Sequence, residues 1–262
     1  MTGVQTCALP ISGAALDATD ELVVLRAVGT CLATDQPEAA DRLAAEVLAS
    51  EAPASPARVD LRTARVHALT MIGRAERATE EWTQAVAAAR EVGDPERLAL
   101  AVLSRDWAIH SAQSAEGGAD LLREALARLG PRASAVRLRV LSALLLELST
   151  FRRATDEIVE LTHEVEALAH SLEDPESRCA ALHVRHVMLR PTADLAARRV
   201  IGEQFTRVAE ATGDPWWQAR AAVARLTDLF AGGEYAAVPA TAARLKESAL
   251  ASRSARLTWH HA

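Results

Sequence analysis

The chain holds 262 residues with a formal net charge of −6, and half of them are apolar. Ala and Leu dominate that apolar half and aromatics are few, a supply that suits helices and suits sheets poorly. Basic residues interleaved with Asp and Glu exclude a nucleic-acid surface, and no stretch reaches the roughly 20 apolar residues needed to cross a bilayer.

At the start of the chain, MTGVQTCALPIS resembles translated sequencing-adapter read-through. It lacks the basic start and clean apolar core of a signal peptide. Residues 1–14 are therefore expected to be a non-native or disordered leader in which Cys7 has no role. Residues 15–262 are expected to form one helical repeat domain that continues beyond the chain at its C-terminal end, and at its N-terminal end as well. Three unpatterned cysteines, Cys7, Cys31 and Cys179, argue against a disulfide framework and for a reducing, cytoplasmic setting.

Helical segments follow in pairs. An opening pair is expected over 18–32 and 37–50, with Asp17 as a weak cap. Ser55-Pro56, Asp94-Pro95, Ser134, Asp174-Pro175 and Asp214-Pro215 then each open a helical run, at spacings of 39 or 40 residues. Asp or Ser accepts hydrogen bonds from free backbone N–H groups at a helix start, and Pro in the first turn gives up an N–H that has no partner there. Gly93 and Gly213 just before two of these marks suit a left-handed helix end. The first helices are expected near 56–71, 95–111, 135–148, 175–189 and 215–230. Their partners are expected near 75–91, 119–129, 152–171, 194–211 and 234–250, with Gly73 and Gly232 at equivalent turns. Ser254 opens a further run.

Apolar spacing supports the pairs. Leu121, Leu122, Ala125, Leu126 and Leu129 form one stripe, and Ile158, Leu161, Val165 and Leu168 another, with Glu157, Glu160 and Glu164 toward solvent. Two-helix units at a fixed interval hide their apolar faces only by stacking on neighbours. The expected fold is thus all-α: a right-handed α-solenoid of stacked antiparallel helix pairs, tetratricopeptide-like, with a period of about 40 residues.

Catalytic motifs are missing from the sequence. Lys246 is the single lysine and follows no glycine run, so no P-loop is present. No G-x-S-x-G elbow or dinucleotide fingerprint occurs. His163-Glu164 opens like a zinc-protease motif, but Ala167 stands where the second histidine belongs. Cys179, His183 and His186 share one helical face and are weak candidate metal ligands; a polar stripe at a helix seam is the alternative, and no metal or other cofactor is expected. Trp216 and Trp217 follow a cap directly, so one ring enters the core while the other covers a seam or faces solvent. Together with Arg185, Arg190, Arg198 and Arg199 they form a candidate recognition surface. Tyr235 opens a second helix and is expected to pack against the first.

The segments GRAERATEEWTQAVAAAREVGDPERLALAVL (73–103), LLREALARLGPRASAVRLRVLSALLLEL (121–148) and EATGDPWWQARAAVARLTDLFAGGEYAAV (210–238) resemble the tetratricopeptide-like region of large bacterial regulators. In that family, which includes LuxR-type and cyclase-fused members, a P-loop ATPase module precedes the helical repeats and many members end in a DNA-binding helix-turn-helix. The resemblance covers residues 15–262 and implies a non-catalytic sensor and scaffold segment. It implies that this region senses a protein partner or small ligand and self-associates. The stacked pairs are expected to offer a concave face lined by second helices for that contact, and the charge and hydropathy patterns predict no direct contact with nucleic acid or membrane. A free-standing adaptor that grips a peptide is the alternative; a metal-dependent helical enzyme has only the Cys179 face as its foothold.

Overall fold

The computed structural model describes residues 18–50, 52–105, 117–151, 155–189 and 194–252. These form twelve α-helices, with no strand among the described residues. In chain order they are α1 (Ala18–Ala33), α2 (Pro37–Leu48), α3 (Pro56–Ile72), α4 (Ala75–Val92), α5 (Pro95–Leu103) and α6 (Gly118–Leu129). Then come α7 (Ala135–Phe151), α8 (Thr155–Leu172), α9 (Pro175–Met188), α10 (Leu195–Thr212), α11 (Pro215–Gly232) and α12 (Val238–Ser252).

Local chemistry sets these boundaries. Ser55, Asp94, Ser134, Asp174 and Asp214 each accept a hydrogen bond from a backbone N–H in the first turn that follows. Asp194 does the same for α10 through the N–H of Ala197. Gly73, Gly93 and Gly213 end their helices in the left-handed conformation, which costs glycine nothing. The turn expected at Gly232 falls one residue later: Gly232 is the last residue of α11, and Gly233 takes the positive φ of 70°. A short 3-10 turn over Tyr235–Ala237 then precedes α12. Asp17, Ser254, Arg190 and the leader lie outside the described residues.

Each helix packs against the next in the chain, so the order is antiparallel pair on antiparallel pair. Each first helix also packs against the first helix of the following pair: α1 on α3, α3 on α5, α5 on α7, α7 on α9 and α9 on α11. Among the described residues no comparable packing joins one second helix to the next, nor any elements further apart. A closed bundle would bring distant helices together; this serial pattern is that of a helical-repeat, solenoid-like array. The core is correspondingly a chain of small clusters. One holds Val24, Val28, Ala44 and Leu61; the largest runs from Val59 through Trp82 and Leu122 to Leu148; others centre on Leu141 and Val184, then Phe205 and Ala224, then Leu245.

An arginine device recurs three residues after the first three of these caps. Arg58 donates to the carbonyls of Val47, Leu48 and Ser50 at the end of α2, and Arg137 to those of Leu126 and Gly130 at the end of α6. A cation is favoured at a helix C-terminus, where carbonyls lack intrahelical partners. Arg97 instead reaches Asp60 on α3 and its own cap Asp94; α4, in front of it, ends in a glycine turn. Long side chains also bridge successive second helices: Arg90 to Glu124, and Arg123 to Glu157. Of the glutamates expected toward solvent on α8, only Glu160 is fully exposed, since Glu157 and Glu164 are turned to Arg123 and Arg137. No helix among the described residues is long and apolar enough to cross a membrane.

Candidate functional site

Because second helices stand apart, grooves open between them, the two larger ones floored by the intervening first helix. Between α8 and α10 a groove of about 830 Å³ is lined by Glu166, His170 and Glu173 on one wall, Arg178 and Arg185 on the floor, and Gln204 and Arg207 on the other wall. Between α10 and α12 a second, of about 660 Å³, is lined by Arg207 and Glu210, by Arg225 of α11, and by Thr241, Arg244 and Glu247. A smaller groove of about 380 Å³ lies between α4 and α6, with Arg90, Asp120 and Glu124 on its walls. Volumes of this order hold small molecules or a few side chains of a bound segment. The two larger grooves share α10, and Arg207 lines both.

Of the expected recognition arginines, Arg185 lines the α8–α10 groove and pairs with Glu166 at 3.4 Å. Arg199 pairs with Glu234 at the other end of α10. Arg198 does not face solvent. It is 6% exposed and is turned into the seam with α11, where its Nε donates to Asp228 at 2.5 Å. Trp216 and Trp217 are both half-buried and meet edge to face at 4.5 Å between ring centroids. Trp217 packs toward Phe205, and Trp216 lies against the Leu245–Ala249 cluster with the Arg220 guanidinium 4.5 Å over its ring. The pair therefore staples α11 to the helices on both sides of it. Tyr235 contacts Phe230 of α11 at 6.3 Å, yet two-thirds of it remains exposed.

Cys179, His183 and His186 do share one face of α9, but each meets a different neighbour. Cys179 is fully buried among Phe205, Ala209, Ala221 and Ala224, and burial, with the Glu176 charge adding, pushes its thiol up to about 12. A thiol so held stays protonated and is neither a nucleophile nor a ready metal ligand. His183 tilts against Phe205, with its Nε2 3.3 Å from Arg220. His186, also fully buried, places Nε2 at 3.0 and 3.1 Å from the two oxygens of Asp228, so that nitrogen carries the proton. Among the described residues no group of three or more His, Cys, Asp or Glu side chains is placed to hold a metal ion.

Sequence reasoning missed Asp228 altogether. Burial opposes ionisation of its carboxyl, but hydrogen bonds and charge from His186 and Arg198 outweigh that and hold it below its ordinary value. A signal was present: Asp228 continues the Ala221–Ala224 stripe at helical spacing, so an acid falls on the face that α11 buries. No family model matches the chain, and no curated protein matches it in sequence.

Proposed function

We propose that residues 15–262 are a non-catalytic recognition scaffold, the sensor segment of a multidomain bacterial signal-transduction ATPase or transcriptional regulator, wound as a right-handed superhelix. The supporting observation is the pair of adjoining grooves on either side of α10, both lined by Arg207 and walled by interleaved arginine and glutamate. Side chains on separated second helices offer fixed points of both charge signs around an apolar floor of Ala181, Leu182, Ala221 and Ala222. This pattern suits a protein segment or ligand carrying acidic and apolar groups, gripped in one orientation.

Peptides selected by display against the full chain, followed by calorimetric titration, test the reading. Those that bind are expected to lose at least about tenfold in affinity on Arg207→Glu, at unchanged helix content, since a charge reversal inside a groove repels what the arginine attracted. Selected peptides indifferent to Arg207→Glu would contradict the groove assignment. For the wider context, the natural reading frame is expected to encode a P-loop upstream and a helix-turn-helix downstream; a frame lacking both would favour a free-standing adaptor.

A further inference from the structure

The polar triad at the α9–α10–α11 joint occupies positions that hold hydrocarbon one unit earlier. Forty residues before His186, Arg198 and Asp228 stand Leu146, Ile158 and Met188. Each of those three is partly buried and packs against the core cluster of Leu141, Val165 and Val184. One unit later, Leu226 and Val238 again stand where His186 and Arg198 would fall. The fold therefore accepts hydrocarbon at these places. Buried ion pairs also join α3 to its neighbours, through Arg58–Glu21, Arg65–Asp41 and Arg65–Glu81, but at other positions of the repeat.

An ionic joint behaves differently from an apolar one. Removing charges from water is costly, and attraction in the interior repays that only if every partner stays in place. Here the geometry is closed but incompletely satisfied: His186 Nδ1 and a terminal nitrogen of Arg198 are buried with no hydrogen-bond partner among the described residues. Exposure to water would satisfy both, which lowers the cost of opening. Sliding by a fraction of an ångström would leave the Asp228 charge buried and unpaired, so intermediate positions are disfavoured. Gly202 of α10 admits the carboxylate: a Cβ there would come within 3.0 Å of Asp228 Oδ2. The corresponding residues in the neighbouring units are Thr162 and Ala242.

We infer that the His186–Arg198–Asp228 triad is a two-state latch that makes the α9–α10–α11 joint the place where the array opens, so that α11 and α12 swing as a unit against α9 and α10. Such a swing changes the width of the groove between α10 and α12 and leaves the one between α8 and α10 as it is. The inference rests on the joint alone and stands whether or not the grooves bind anything.

Amide hydrogen exchange on the full chain, resolved by helix, tests it. Replacing the triad with the residues of the preceding joint (His186→Leu, Arg198→Ile and Asp228→Met together) is expected to slow exchange in α11 at least about tenfold and to leave α7 and α8 unchanged. Fraying at the end of the array is not moved by this swap, so it cannot mimic the result. A folded swap variant with unchanged or faster α11 exchange would overturn the latch. Gly202→Ala decides the matter independently, including where the swap variant does not fold. Its methyl presses on Asp228 and is expected to speed exchange in α11 several-fold while α7 and α8 stay as they are, although alanine favours helix. Unchanged α11 exchange, or acceleration spread evenly over α7 to α11, would overturn the proposal.

Discussion

Two joints of the array, built on the same helix frame and separated by one repeat, both enclose an apolar cluster but differ in chemistry at three equivalent positions. Where α7 and α8 meet α9, Leu146, Ile158 and Met188 close the contact with hydrocarbon. Where α9 and α10 meet α11, the polar triad of His186, Arg198 and Asp228 takes those positions, at 0%, 6% and 1% exposure, beside the apolar cluster of Cys179, Phe205 and Ala224. An apolar joint loses contact gradually as it is strained, whereas a buried ionic one fails at once when a partner leaves. Repeat architecture thus fixes where helices go and leaves each joint free to be made stiff or breakable.

The largest effect should come from breaking the ionic joint on one side only. Asp228→Ala leaves the Arg198 cation buried without its partner and is expected to cost about 3–5 kcal/mol in urea unfolding, far more than Met188→Ala in the other joint. Converting the ionic joint wholly to the apolar one is expected to raise stability by about 1–4 kcal/mol; a loss would mean that charge is the better solution here. Acid should separate the joints next. Because the Asp228 carboxyl titrates below its ordinary value in the folded chain, its contribution is present above the unfolded-state pKa and is lost as pH falls through the folded one. Lowering pH below about 4 is therefore expected to loosen α11 in the natural chain more than in the apolar swap, as read by exchange-quench mass spectrometry. The smallest effect belongs to the caps, which all joints share. Asp94→Ala is expected to cost about 1 kcal/mol, by thermal melting at neutral pH. The difference should shrink in acid, because backbone N–H bonds, foremost that of Arg97, hold the Asp94 carboxyl below its ordinary value.

The helix frame was legible because its signals act within three residues. A cap side chain and the N–H groups it satisfies are neighbours in sequence, so Ser55, Asp94, Ser134, Asp174 and Asp214 mark their helices without knowledge of packing. The joints were much less legible. Arg58, Arg97 and Arg137 recur in phase in the sequence, but which carbonyl or acid each one reaches depends on how the preceding helix ends. Cys179, His183 and His186 do lie on one face of α9 as their spacing requires. That face meets α10 and α11 at different heights, so the three side chains part: one to hydrocarbon, one to Phe205 and Arg220, one to Asp228. Asp228 lies 42 residues from His186, and no local rule pairs them.

Native-state hydrogen exchange of the natural chain, followed amide by amide through rising urea below the unfolding midpoint, is the most direct trial of the contrast between joints. Amides of α11 should exchange through a partial opening with a shallow urea dependence, at lower free energy than those of α7 and α8, which should wait for larger-scale unfolding. One shared isotherm for α7, α8, α9 and α11 would contradict the account, because it would mean that the ionic joint opens no more readily than its hydrocarbon counterpart.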